Sequence, residues 1–213
     1  MKKSVKKTIL LIFIICVFSI GVAYLFFSNM KLINEENQIS YVNILYDNAD
    51  RIVVSTDNVL PDAKGEILTE GINVIKFKVN ANLYNTELAK YKLLLNSIYT
   101  TSEVDYSDIN VMVTKNGEKV YFDKDKYIID LASLISNASE DKKVKNNFVS
   151  QGRLKDDESD EYVVRMWVSD SYVKKYSCKN TIYLTKGACE KNGSKWEETP
   201  FALTANFRIL ASE

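Results

Sequence analysis

The chain predicts an all-β fold: a single antiparallel β-sandwich ectodomain behind one N-terminal transmembrane helix. Three observations carry that expectation. A run of twenty uncharged residues follows a cluster of lysines at the N-terminus. Beyond it, short apolar or alternating segments are separated by turn signals, the pattern of antiparallel strands stacked on one core. No Pro- or Gly-rich linker divides those segments, so 41–213 reads as one domain.

The N-terminal segment "MKKSVKK", 1–7, carries four lysines and is expected in the cytoplasm. Thr8 to Phe27, "TILLIFIICVFSIGVAYLFF", follows without a charge. At 1.5 Å per residue a helix of 8–27 spans a hydrocarbon core of roughly 30 Å. Lys2, Lys3, Lys6 and Lys7 precede it and only Lys31 follows closely, so the positive-inside rule sends the rest of the chain outward. Gly21-Val22-Ala23 has the small-x-small form of a signal-peptidase site, which makes secretion after cleavage the alternative. The apolar run continues through Tyr24, Leu25, Phe26 and Phe27, longer than a usual signal core, and favours a retained signal anchor. Cys16 follows bulky Ile15 where a lipid-modified cysteine wants a small residue, and it reads as an apolar side chain in lipid. Residues 28–40 form a polar juxtamembrane stalk.

Export changes the charge balance. Without the four N-terminal lysines, the chain from Met30 on holds 24 basic and 28 acidic residues, a net of −4. Such a body is not built for nucleic acid or for anionic lipid.

The strands follow in order. "SYVNILY" and "DRIVVST" are strand-like. In "INVIKFKVNANLY", Phe77, Val79, Ala81 and Leu83 face one way and Lys76, Lys78, Asn80 and Asn82 the other. Asn116-Gly117, between two β-rich runs, predicts a type I′ hairpin turn, in which both central residues need positive φ. "NTELAKYKLLLNSIY", Asn85 to Tyr99, carries both helical and alternating spacing. A strand over Lys90 to Ile98 is the preferred reading, because its neighbours are strands and an isolated helix needs a face to bury. "IIDLASLISNASEDKK" predicts a turn of helix. "NNFVSQGRL", "YVVRMWVS" and "PFALTANFRIL" complete the set.

Outside the membrane, Cys178 and Cys189 can oxidise. They are eleven residues apart in a loop containing Lys186-Gly187, and they predict a disulfide that closes an insertion, 178–189. No histidine exists to form a thiolate and no CxxC spacing occurs, so a reactive thiol or a two-cysteine metal site has no support in the residues.

Other chemistry is sparse. The absence of histidine removes the commonest general base and imidazole ligand together. Ser139-Glu140-Asp141-Lys142 and Ser171-Tyr172-Val173-Lys174 match S-x-x-K, but the S-D-N and K-T-G partners of penicillin-binding enzymes are missing. The acidic run "KDDESDE", Lys155 to Glu161, lacks the loop pattern that calcium needs and reads as a solvated connection; Asp123 and Asp125 read likewise. No catalytic residue, metal or cofactor is expected, and the chain does not read as an enzyme.

One strand poses a question. In "DEYVVRMWVSD", Tyr162, Val164, Met166 and Val168 form a core face, and Val163, Arg165, Trp167 and Ser169 form the other. Arg165 beside Trp167 suits a sugar or peptide platform, with Trp196 after the cysteine loop as a further candidate contact. The competing reading is packing, with Trp167 filling a gap under a loop and Arg165 lying over it in a cation–π pair.

The lysine-led apolar N-terminus, "NVIKFKVNANLY" and "EYVVRMWVSD", in that order, resemble exported all-β surface proteins of Firmicutes, the camelysin and TasA-like group. The resemblance implies a signal or anchor segment before one sandwich, and a surface or matrix role. Metal-dependent proteolysis is ascribed to camelysin, but a chain without histidine offers no ligand set onto which it carries over. The "CEKNGSKW" stretch is also similar to small disulfide-loop inserts of bacterial and phage surface proteins. The functional expectation is a membrane-anchored extracytoplasmic protein with a structural or interaction role, held to the membrane by its N-terminal helix and meeting a protein or cell-wall partner. Its alternative is a wall glycan- or peptide-binding module that uses the Trp167/Arg165 face and the cysteine loop.

Overall fold

Alternation in the sequence becomes two faces in space. The computed structural model describes residues 40–212. The expected cytoplasmic segment 1–7, the membrane span 8–27 and all but the last residue of the stalk 28–40 lie outside the described residues. Among the described residues, no helix is long and apolar enough to cross a membrane.

The body is mostly β. Its strands are β1 (Tyr41–Tyr46), β2 (Ile52–Ser55), β3 (Val59–Leu60), β4 (Val74–Asn82), β5 (Ala89–Thr100), β6 (Ile109–Lys115), β7 (Glu118–Lys119), β8 (Ile128–Asp130), β9 (Phe148–Leu154), β10 (Ser159–Ser169), β11 (Tyr176–Cys178), β12 (Trp196–Glu198) and β13 (Ala202–Ser212). Three short helices interrupt them: α1 (Asp62–Glu66), α2 (Leu131–Ser136) and α3 (Lys186–Lys191). One sheet has the order β1-β4-β10-β6-β7, with β3 beside β10 and β8 beside β6. A second has the order β2-β13-β5-β9, and β11 pairs with β12 apart from both. Pairing is antiparallel except for β3, which runs parallel to the end of β10. An all-antiparallel expectation misses that two-residue exception.

The inward faces meet in one core. Phe77, Val79 and Ala81 of β4 are buried as the alternation predicts, and so are Tyr162, Val164, Met166 and Val168 of β10. From the other sheet come Leu93 and Leu95 of β5, Val54 of β2, and Leu203 and Phe207 of β13. Phe77 stacks between Tyr162 and Phe207, at 5.4 and 6.0 Å between ring centroids, and so joins the two sheets.

The ambiguous segment is a strand, Ala89–Thr100. Its hydrogen-bonding edges are taken by β13 on one side and β9 on the other. Tertiary pairing thus decides what local spacing leaves open. The Asn116-Gly117 turn has φ of 51° and 84°, positive at both positions as its sequence requires. The helix turn expected after Ile128 is α2, capped by Asp130, whose carboxylate accepts from Ser133 N at 2.7 Å.

The outer face of β10 is covered by α1. Gly65 lies flat on Trp167: a Cβ there would come within 2.1 Å of the indole Cε2. A side chain at 65 would therefore have to displace either the helix or the ring. Trp167→Ala is expected to cost about 4 kcal/mol in urea unfolding, as for a packed aromatic. Gly65→Ala should cost about 2 kcal/mol by overpacking. Unchanged stability in both variants would show that this cover is not needed for folding.

Candidate functional site

The Arg165 and Trp167 face is closed. Trp167 is 0% exposed, and its Nε1 is buried with no hydrogen-bond partner among the described residues. A sugar platform needs an open ring face, and α1 occupies this one. Arg165 is half-buried: Nε donates to Leu68 O at 2.5 Å and Nη1 lies 3.5 Å from Thr114 Oγ1. Burial lowers its pKa, with Glu66 acting in the opposite sense. The cation–π pairs among the described residues join Lys115 to Tyr91 and Tyr162, and Lys119 to Tyr127; none joins Arg165 to Trp167. Lys119 also pairs with Glu66, so the helix over Trp167 is clamped from β7. Trp196, the third candidate contact, is half-buried on β12 opposite Cys178, well apart in the chain from the other two.

Cys178 and Cys189 are bonded, with Cα atoms 5.7 Å apart. The bridge fastens β11 to α3. Thr185 caps α3 by accepting from Ala188 N at 3.3 Å, and β12 closes the hairpin.

The most concentrated chemistry lies elsewhere, at the start of β10. Asp160 is buried there between the sheets. Its Oδ2 accepts from Tyr91 Oη at 2.5 Å and pairs with Lys115 Nζ at 2.9 Å. Its Oδ1 accepts from Asn116 Nδ2 at 2.7 Å. The Tyr91 and Tyr162 hydroxyls are 2.8 Å apart, and Ser150 Oγ lies 3.3 Å from Tyr162 Oη. Tyr91 and Ser150 belong to one sheet; Asp160, Tyr162 and Lys115 belong to the other. Gly152 lets β9 approach, since a Cβ there would meet the Tyr91 hydroxyl at 2.5 Å.

Part of the acidic run is therefore not a solvated connection. Asp156 and Glu158 serve its turn, accepting from Leu83 N and Lys155 N, while Asp160 points inward. Burial by itself would raise the Asp160 pKa, but hydrogen bonds from Tyr91, Lys115 and Asn116 outweigh it and hold the group below its ordinary 3.8. Burial, with Tyr162 and Asp160 beside it, pushes the Tyr91 phenol far above its ordinary 10.0. Burial also raises Tyr162. An ionised carboxylate whose oxygens are already engaged, facing neutral phenols, is suited to holding two sheets together and not to moving protons near neutrality.

The S-x-x-K serines have other partners. Ser139 is buried, donates to Asp141 Oδ1 at 2.7 Å and lies 3.3 Å from Lys92 Nζ. Lys92, buried although it alternates outward on β5, binds both Asp141 oxygens at 2.7 and 2.8 Å. Hydrogen bonds from Lys92, Ser139 and the Lys143 amide hold Asp141 well below the usual carboxylate range. The lysine beside Ser139 is paired with Asp141, and it is not the Lys142 of the motif. Lys174 of the second match pairs with Glu198 at 2.8 Å. Among the described residues, no group of three or more Cys, Asp or Glu is placed to hold a metal ion.

These features define a two-sheet, mostly antiparallel β protein with a buried polar clasp at one end and a disulfide-closed hairpin at the other. Comparison with known proteins adds no relative: no family model, curated protein or solved structure matches the chain.

The pH dependence follows from the clasp. Asp160, with its pKa lowered by folding, contributes stability that is complete above the unfolded value near 3.8 and is lost as pH falls through the lower folded value. Tyr91, with its pKa raised, contributes stability that is complete below 10.0 and is lost as pH rises beyond it. Lys115→Met should cost about 3 kcal/mol by stranding the carboxylate, and should move acid unfolding to higher pH. Tyr91→Phe should cost about 2 kcal/mol. Urea titrations across acid pH check both, and an acid limb unmoved in Lys115→Met would remove Asp160 as its cause.

Proposed function

We propose that the chain is an exported, membrane-anchored surface protein whose two sheets form a single sandwich, and that its role is structural or adhesive and not catalytic. The observation that carries this reading is the Cys178–Cys189 bond in a peripheral hairpin. Disulfides of this kind persist in oxidising surroundings, outside the cytoplasm. The uncharged run 8–27 behind four lysines supplies the route there and the anchor. The side chains that could have served catalysis support the same view: Asp160, Lys115, Lys92, Ser139 and Asp141 are all engaged with one another in holding the fold. The resemblance to exported surface proteins of Firmicutes points the same way.

Protease added to intact cells should remove a C-terminal tag, and the chain should stay with the membrane fraction after carbonate washing. Protection of the tag would reverse the topology and withdraw the compartment argument for the disulfide. Release of the chain into the medium would favour cleavage over anchoring.

A further inference from the structure

The disulfide-closed hairpin carries the most exposed large apolar side chains among the described residues. Leu184 is 85% exposed, Ile182 79% and Val173 78%. Single exposed apolar residues are ordinary, but Ile182 and Leu184 fall within one closed loop, with Val173 shortly before it in the chain. Ile182 and Leu184 lie inside the ring closed by Cys178 and Cys189, so the chain is held while their side chains stay in water. They contribute nothing to a core.

The charge of the hairpin is opposite to that of the body. From Cys178 to Trp196 there are four lysines and one glutamate, net +3; the remainder of the chain from Met30 on is then −7. Lys186 lies 3.9 Å from Glu190, but Lys179, Lys191 and Lys195 have no ion pair among the described residues. Tyr176 and Trp196 flank the stem formed by β11 and β12. An aliphatic apex, amphipathic rings below it and lysines around it form the sequence of layers met on entering a lipid interface.

We propose that this hairpin is a contact for an anionic lipid bilayer, with Ile182 and Leu184 entering the acyl region and Lys179, Lys191 and Lys195 meeting lipid phosphates. Charge complementarity argues for it: a basic tip on an acidic body is oriented toward an anionic surface by the field of that surface. Shape argues against a protein as the occupant. A specific protein interface covers about 800 Å² on each partner, more than two protruding side chains offer, whereas a bilayer needs no matching contour. The closed loop also enters with little ordering cost. The hairpin joins the end of β10 to the start of β13, at the opposite end of β10 from the strand register that holds Tyr41.

The test uses the full chain reconstituted into vesicles of phosphatidylcholine alone or mixed with phosphatidylglycerol. Leu184→Trp places a reporter at the apex, Ile182→Trp provides a second position, and acyl chains brominated along their length act as quenchers. Trp167 is a buried internal reference, and Trp196→Phe removes the other native tryptophan, on the hairpin stem. Apex emission should be quenched in the mixed vesicles, and the quenching should be lost in phosphatidylcholine, in high salt and on changing Lys179, Lys191 and Lys195 to Glu. No quenching in mixed vesicles by natively melting variants overturns the proposal, and so does quenching indifferent to lipid charge. Flotation of the parent chain reports the N-terminal anchor independently, so a chain that floats with an unquenched apex refutes the hairpin contact alone.

Discussion

A carboxylate taken out of water ties the two sheets together. Asp160 begins β10, the strand that β4 and β6 flank, and its partners come from β5, from β6 and from the turn after β6. A buried charge without partners is strongly unfavourable, so this group makes the position of one sheet conditional on the other. Hydrophobic contacts between sheets tolerate sliding; a carboxylate that needs Tyr91, Lys115 and Asn116 at once does not. The stacked Phe77, Tyr162 and Phe207 supply area, while the clasp beside them supplies register. The aromatic rings also shape the clasp, since the Lys115 ammonium lies 5.6 and 5.9 Å from the centroids of Tyr91 and Tyr162.

The far face of the larger sheet is closed by a different device. Five residues of α1 cannot hold a helix by themselves. They are held because Gly65 lets the backbone rest on Trp167 and because Glu66 reaches Lys119. Tyr127 adds a hydroxyl 3.3 Å from Glu66 and a ring 3.7 Å beneath the Lys119 ammonium. Arg165 then finds its acceptor on the chain just beyond the helix, at Leu68 O. The pairing of arginine with tryptophan on one strand face, which suggests a binding surface in the sequence, is the underside of this cover.

How legible all this was depended on how local the cause is. The alternation in β4, the positive φ at Asn116-Gly117 and the pairing of Cys178 with Cys189 rest on neighbours in sequence, and each is readable there. Asp160 sits among four other acidic residues, and nothing in "KDDESDE" distinguishes the one that turns inward. Only its place two residues before Tyr162 on the core face gives it away. Lys92 is hidden in the same manner, alternating outward yet covered by the segment bearing Ser139 and Asp141. Gly65 carries no sign in the sequence of the indole that lies beneath it. The chain also uses Asn116 twice, since the residue that permits the turn also donates to Asp160 and accepts from Glu161 N. Turn chemistry predicts the first use and is silent on the second.

The hairpin at the other end follows the opposite logic. Its two strands have three residues each, far too few to stand as an isolated pair in water. Burial does not rescue it, because its apex keeps Ile182 and Leu184 exposed while Cys189 and Cys178 are its buried side chains. A covalent closure therefore replaces the core that the hairpin lacks, and it works by narrowing the states open to the unfolded loop. This substitution frees the exposed aliphatic side chains from any duty in folding. In the sheets, the main buried polar groups gather around Asp160 and Lys92. In the hairpin Lys179, Lys191, Lys195, Ile182 and Leu184 are uncommitted among the described residues, so recognition there can vary without endangering the fold that carries it.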